Sequence, residues 1–275
     1  MSSRRKETHH TRSRWKFIRI FPVAAIALLS LTTTTHAERI DSCVTLADSL
    51  LSCYTYLTND SVEPRALVIT LPMLSRDRTS YDKIVDELSS HFPEISFLNF
   101  DLRGHGQSVS IGSTNLSYKD MERSEYPKIP DDIRESLRLI RKVCPELKKT
   151  PVIIIGASIG ANSAGILANI EKSVVAACLL SPGLNYREII PGPHLAVVGE
   201  KQILMMVGTQ DTYSFNSTDS LFALSEGVKT QLTYNTGAHG TNIPNNSDSA
   251  MVDLVDWTRQ TLESIKSSAS SGKKK

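Results

Sequence analysis

Between Val152 and Ala168 the chain writes a strand, a sharp turn and a helix in direct succession. Val152-Ile-Ile-Ile155 is a β-branched run suited to a buried strand, and the small, apolar Ala161-Asn-Ser-Ala-Gly-Ile-Leu-Ala168 continues as a helix. Gly156-Ala-Ser158-Ile-Gly160 joins the two. Glycine on both sides of a serine permits a turn so tight that the hydroxyl stands alone above the end of a sheet strand. The bare Gly-x-Ser-x-Gly pattern arises easily by chance, so its weight comes from the strand before it and the helix after it. A tight strand-to-helix turn without chemistry is the competing reading.

A chain of 275 residues with 40% hydrophobic content can bury a large core, and one α/β domain suits that length better than two small ones. No internal repeat is visible. The first residues stand apart from the core. Arg4, Arg5, Lys6, Arg12, Arg14, Lys16 and Arg19 form a basic leader, Phe21 to Leu31 is an apolar run, and Thr35-His-Ala37 offers small residues at a cleavage site. The expectation is a signal peptide over residues 1–37, cut after Ala37, ahead of a folded domain over 38–266 and a disordered Ser/Lys tail over 267–275. An uncut anchor is the alternative, although the apolar run falls short of the ~20 residues that span a bilayer.

Seven of the 31 basic residues and one of the 29 acidic ones lie in that leader, so its removal turns the formal net charge from +2 to −4. A mildly acidic surface gives no electrostatic reason to expect nucleic acid as a partner. No stable membrane insertion is expected once the leader is cut, and the destination is secreted or periplasmic.

Disulfides are permitted in that destination, and all four cysteines fall after Ala37. Ala47-Asp-Ser49 reads as a three-residue hairpin loop, which sets Leu46 opposite Leu50 and therefore Cys43 opposite Cys53. Directly opposed residues of an antiparallel pair lie ~4.5–5.5 Å apart at Cα, within disulfide reach. A Cys43–Cys53 bridge is expected, with two free thiols as the alternative. Cys144 and Cys178 read as buried small residues. No cysteine spacing suggests a metal site, and no cofactor is expected.

From Ala66 the pattern alternates between strand and helix. Ala66 to Leu71, Ile95 to Phe100, Val174 to Leu180, Gln202 to Val207 and Thr230 to Tyr234 read as strands. Tyr81, Ile84, Val85 and Leu88 recur at helical spacing. A second helix opens at Asp131-Asp132 and carries Ile133, Leu137 and Ile140 inward, and a closing helix aligns Met251, Leu254, Val255, Leu262 and Ile265. Such alternation predicts an α/β fold with a mostly parallel central sheet, helices on both faces and the antiparallel Cys43 hairpin at one edge.

A serine hydroxyl needs a general base and a carboxylate to orient that base. In a parallel sheet these come from loops at the carboxyl ends of later strands. The strand Ile203–Val207 runs into Gly208-Thr-Gln-Asp211, and the strand ending at Tyr234 runs into Asn235-Thr-Gly-Ala-His239. Asp211 could instead cap its turn, and His239 could be a solvated loop residue. His105, between two glycines, is a competing base. His91 and His194 read as structural or exposed.

With the order Ser158, Asp211, His239, the chain resembles an α/β-hydrolase of the esterase, lipase and dienelactone-hydrolase-like group over residues 41 to 266. The resemblance implies Ser158 as nucleophile, Asp211 as carboxylate and His239 as base and then acid. It also matches Asp101-Leu-Arg-Gly-His-Gly to a structural loop of that family. Where the family commonly has His-Gly after its first central strand, this chain has Pro72-Met73-Leu74, so an oxyanion hole would use the Leu74 and Ile159 amides. Only 53 positions separate Ser158 from Asp211, which leaves no room for a large lid domain. Leu184, Tyr186, Ile189 and Ile190 in the loop after Ser181 could line a substrate pocket, with the Met121 to Pro130 loop opposite; packing of the loop onto the core is the alternative.

The expected function is an exported serine hydrolase, carboxylesterase-like, acting through an acyl-enzyme on small or medium carboxylic esters. Acyl transfer on the same triad, and a non-catalytic hydrolase-fold protein that binds a ligand, are the alternatives. Asn59, Asn115, Asn216 and Asn245 head Asn-x-Ser/Thr triplets that matter only in a eukaryotic secretory pathway.

Overall fold

β-branched and aromatic runs set the frame. The computed structural model describes residues 38–271, and the leader ending at Ala37 lies outside them. In chain order the elements are β1 (Glu38–Thr45), β2 (Leu51–Thr58), β3 (Ala66–Leu71), α1 (Asp82–His91), β4 (Ile95–Phe100), a small ribbon of β5 (Ser110–Ile111) and β6 (Thr114–Asn115), and α2 (Ile129–Val143). There follow β7 (Val152–Ala157), α3 (Ile159–Ile170), β8 (Val174–Leu180), α4 (Gly192–Leu195), β9 (Gln202–Gly208), α5 (Thr212–Leu224), β10 (Val228–Tyr234), α6 (Asn242–Asn245) and α7 (Asp248–Ser271). Strands β1 to β4 and β7 to β10 form one sheet in the order β1-β2-β4-β3-β7-β8-β9-β10. The two pairs that involve β2 are antiparallel and the remaining pairs of this sheet are parallel.

The core divides by the period-2 alternation of the central strands. Leu67, Ile69, Val152 and Ile154 face Ile133, Leu137 and Ile140 of α2 and Ala161, Ala164 and Leu167 of α3. Val68, Ile153 and Ile155 face Ile84, Val85 and Leu88 of α1 and Leu254, Val255 and Leu262 of α7. The protein has an α/β-hydrolase architecture: a mostly parallel sheet, helices on both faces, an antiparallel hairpin at one edge and, among the described residues, no large lid. Because β3, β7, β8, β9 and β10 run parallel, the loops after them all leave from one edge of the sheet.

The hairpin follows the expected register, with Cys43 opposite Cys53, the pair joined by a disulfide and the Cα atoms 4.0 Å apart. Its tip and one strand reach a pair of buried ion networks. Asp101 accepts hydrogen bonds from the Arg78 and Gln107 amides, both at 2.8 Å, and pairs with the Arg78 guanidinium, which also meets Asp41 of β1 at 3.4 Å. Arg103 is almost fully buried and binds Asp132 at 2.6 Å, Glu125 at 2.8 Å and Asp48 of the hairpin tip at 2.7 Å. The Asp101-Leu-Arg-Gly-His-Gly segment is thereby tied down at Asp101 and at Arg103.

Several expectations shift. Helix α2 begins two residues earlier than Asp131, with Pro130 in its first turn where a missing amide hydrogen costs nothing. The loop before it contains the β5–β6 ribbon and a 3₁₀ turn at Arg123–Lys128. Helix α7 runs on to Ser271, into the Ser-rich stretch expected to be a tail. Cys144 is partly exposed, whereas Cys178 is buried against Met206.

Two stability measurements follow from these contacts. Replacing Cys43 and Cys53 by serine should lower unfolding free energy by about 2–3 kcal/mol, from the chain entropy of the short loop the bridge closes. Arg103→Met leaves the Asp132 carboxylate buried without its partner and should cost about 3–5 kcal/mol. Urea unfolding followed by circular dichroism reads both, and an Arg103→Met midpoint equal to that of the parent would contradict the network.

Candidate active site

Helix α3 starts directly at the end of β7, and Ser158 is the residue between them. Its φ of +55° and ψ of −116° are strained for a residue with a side chain. The cause is backbone proximity. A Cβ at Gly160 would land on the Leu71 carbonyl oxygen and 2.6 Å from that of Pro72, and one at Gly156 would lie 2.8 Å from the Ala161 Cα. Only glycine allows the helix to start this close to the tips of β3 and β7. The turn is held by Ser158 N–H donating to the Leu180 carbonyl at 2.9 Å and Asn162 N–H donating to the Ser158 carbonyl at 3.0 Å.

Asp211 follows β9 as the residue before α5. Its side chain makes no capping bond to that helix. Instead Oδ2 lies 2.5 Å from Nδ1 of His239, which sits on the loop after β10. Two loops of neighbouring strands therefore meet through one carboxylate–imidazole bond. The Ser214 hydroxyl, one turn into α5, lies 3.4 Å from the same Nδ1. The His239 loop is fastened to the rest of the rim next door: Gly240 N–H donates to Ser181 Oγ at 3.0 Å, and a Cβ at Gly240 would lie 3.2 Å from that of Ala157. His239 thus follows a loop that closes against the residue preceding Ser158. Among the described residues no hydrogen bond joins the Ser158 hydroxyl to the imidazole, whose Nδ1 is taken by Asp211 and Ser214.

The other expected residues distribute around the same rim. Leu74 is half-buried in the loop after β3, and Ile159 is the first residue of α3, whose amide hydrogen has no carbonyl of a preceding helical turn to bond. Tyr186 is half-buried with its ring edge-on to His239 at 6.2 Å between centroids, while Leu184 and Ile190 are exposed and Ile189 is fully buried. Ile189 belongs to the core, so it lines no pocket. The Met121 to Pro130 segment also packs inward: Met121 and Tyr126 are buried, and Arg187 lies over the Tyr126 ring at 5.5 Å. That segment supports the Ser181–Pro191 loop and does not form a free opposite wall.

His105 takes no part. Its Nδ1 lies 2.9 Å from the Arg103 carbonyl, its ring stacks on Tyr118 at 4.7 Å, and burial lowers its pKa. His91 pairs with Glu87 on an exposed face, and His194 contacts Asn169. Among the described residues no group of three or more His, Cys, Asp or Glu side chains could hold a metal ion. Ser214 and Asn162 were not foreseen. Asn162 stands out in hindsight as an amide in a small, apolar helix; Ser214 carries no such signal.

Residues 62–211 match the serine aminopeptidase S33 family, more than half of the chain. The chain belongs to that family. It is an α/β-hydrolase, and the matched region takes in Ser158 and ends on Asp211, short of His239. No curated protein sequence matches the hydrolase. Among solved structures it is similar to an esterase of Pyrococcus furiosus, with 18% identity and a TM-score of 0.64 over 82% of this chain and 93% of that one. A dienelactone hydrolase from Anabaena variabilis aligns with 12% identity and a TM-score of 0.63 over 82% and 97% of the two chains. An esterase domain from Rhodothermus marinus aligns with 15% identity and a TM-score of 0.59 over 81% and 98%. At these identities the likeness is one of fold.

The elbow makes one prediction of its own. In Gly160→Ala the added methyl meets backbone carbonyls that cannot move aside, so the hydrolase should lose at least ~2 kcal/mol of stability. Gly165→Ala, on the same helix, would meet only side chains, the nearest being Pro191 Cβ at 3.0 Å, and should lose less. Parallel thermal melts of the two variants make the comparison, and equal losses would contradict the backbone-contact account.

Proposed function

We propose that the chain is an exported serine hydrolase that cleaves small or medium carboxylic esters through an acyl-enzyme, with Ser158 as nucleophile, His239 as general base and acid, and Asp211 as the orienting carboxylate. The observation that carries this reading is the 2.5 Å bond between Asp211 and His239 Nδ1 at the rim that also bears the strained Ser158. That bond fixes the tautomer with Nδ1 protonated and leaves Nε2 as the proton acceptor.

In the proposed sequence the Ser158 hydroxyl gives its proton to Nε2 as the oxygen attacks the ester carbonyl. The Leu74 and Ile159 amides bind the resulting oxyanion, and His239 protonates the departing alcohol. Water then enters, is deprotonated by His239, and releases the acid. The Ser158–His239 hydrogen bond, absent among the described residues, is proposed to form as substrate binds, since catalytic bonds commonly tighten around the substrate. The same absence is the best support for the second reading, a hydrolase-fold protein that binds a ligand without turnover.

The short Ser181–Pro191 loop, with Leu184 and Ile190 exposed on it and Tyr186 edge-on to His239, supports a reading with small or medium acyl groups. Export with cleavage after Ala37, and a domain spanning 38–266, remain part of the proposal. A disulfide suits an oxidising compartment, and among the described residues no helix is long and apolar enough to cross a membrane.

A p-nitrophenyl ester series from acetate to decanoate, with an amino-acid p-nitroanilide and an added alcohol acceptor as further arms, tests the reading. A burst followed by steady hydrolysis, fastest for the shorter acyl chains, is expected. Ser158→Ala should abolish both turnover and fluorophosphonate labelling, and Asp211→Asn should reduce turnover by up to ~10⁴-fold. Absence of any burst would favour the binding protein, and a burst that turns over only with the alcohol would make it a transferase.

A further inference from the structure

The His239 side chain is 34% exposed, so packing by itself does not fix the direction of its ring. A single bond to Asp211 would leave the imidazole free to swing about that bond. What limits the swing comes from α5 and from the loop after β8. Asp211 stands directly before α5 and Ser214 three residues further on, a spacing that sets both on one side of the first helical turn. Phe215 N–H donates to the Asp211 carbonyl at 2.8 Å, and the Thr218 hydroxyl donates to the Ser214 carbonyl at 2.7 Å, which holds that turn in shape. One turn thus offers two oxygens to one ring nitrogen: Asp211 Oδ2 lies 2.5 Å and Ser214 Oγ 3.4 Å from His239 Nδ1.

Ser214 is fully buried, so its hydroxyl needs partners within the protein. Counting protons gives their direction. Nδ1 carries its hydrogen toward Asp211, and Ser214 Oγ meets that hydrogen as a second acceptor. The Ser214 proton is then left for the Tyr186 oxygen, 2.9 Å away. Tyr186 is itself held in place. Its ring stands edge-on to Tyr213 at 5.4 Å between centroids, and Tyr213 bonds both the amide and the carbonyl of Asn185 through its hydroxyl. On its other side the Tyr186 ring stands edge-on to His239 at 6.2 Å. Burial pushes the Tyr186 pKa up to about 12, so the hydroxyl beside Ser214 stays neutral.

We propose that Ser214 is a positioning residue for the general base: its Oγ, aimed by Tyr186, is the second acceptor for His239 Nδ1–H and holds the imidazole in the orientation from which Nε2 takes and returns protons. This inference rests on the Ser158, His239 and Asp211 reading above. Nδ1 and Ser214 each keep their own proton throughout, and no covalent bond changes at either. When Nε2 takes a proton the ring becomes a cation, and hydrogen bonds from a charged donor are the stronger ones, so the second acceptor favours that state. The benefit therefore falls on kcat. Ser214 is sealed from solvent, so substrate binding does not draw on it.

For p-nitrophenyl acetate, Ser214→Ala should lower kcat about tenfold, the worth of one hydrogen bond, with KM within twofold of the parent. Fluorophosphonate labelling of Ser158 should slow in step, because it uses the same base. Ser214→Cys refills the space with a poor acceptor and should be as slow as Ser214→Ala. Tyr186→Phe should also lower kcat, but should cause no further loss in the Ser214→Ala background. The proposal is overturned by a Ser214→Ala kcat within twofold of the parent, by a rise in KM that accounts for the loss, by a Ser214→Cys as fast as the parent, or by further slowing of Ser214→Ala by Tyr186→Phe. If Ser214→Ala does not fold, Ser214→Cys is read by the same limits on kcat and KM. An unlabelled parent removes the serine-hydrolase reading and this one with it, whereas a labelled parent with an unimpaired Ser214→Ala removes only the role of Ser214.

Discussion

The contact between the first turn of α3 and the end of β3 governs this molecule. Gly160 lies against the carbonyls of Leu71 and Pro72 with no space for a side chain, and Gly156 lies against the same helix turn from below. Interiors pack as densely as organic crystals, so an approach this close cannot be relaxed by small shifts. From it follow the left-handed φ of Ser158, the position of Ile159 at the head of the helix, and the nearness of both to the loop that carries Leu74. The strain at Ser158 persists because β7 and the first half of α3 are fully buried and over-determine it.

The rest of the fold holds other loops up to that point. On the β9 and β10 side, Asp211 and His239 join two loops by a single short bond, and Gly240 and Ser181 join the second of these to the loop after β8. On the hairpin side, Asp41 and Asp48 reach Arg78 and Arg103, which tie down the Asp101–Ser108 segment and, through Arg78, the chain that leaves Leu74. Buried ion pairs contribute little net stability, since desolvation offsets attraction, but they break at high cost and so favour one arrangement of the loops. The N-terminal hairpin is thus a support for the site, although none of its residues reaches Ser158.

Much of this was legible in order along the chain. β3, β4 and β8 span the residues that read as strands, because strands buried on both faces are mostly apolar; the polar exceptions Thr70, Ser96 and Asn99 are hydrogen-bonded within the sheet. The Cys43–Cys53 opposition followed from a three-residue loop, since hairpin register is set by loop length. The region between Phe100 and α2 was read least well. Its ribbon, its 3₁₀ turn and its buried Met121 and Tyr126 are organised by Arg103, and a charged side chain at the centre of a buried network looks in sequence like any exposed one. The same reasoning misled over Ile189, whose burial depends on Asn162 from another element.

Local chemistry alone determined the strand, the glycine-flanked turn at Ser158, the parallel order of the elements and the end of the sheet at which their loops emerge. These are properties of neighbouring residues: side-chain branching, the missing Cβ of glycine and the period of apolar positions. Tertiary structure alone decided that Asp211 turns from its own helix to His239, that His105 is packed away, that Tyr186 and Ser214 gather beside His239, and that Asn162 clasps the loop after β8. Each depends on groups from different elements or loops that share a few ångströms of space, and no local pattern encodes such a distance.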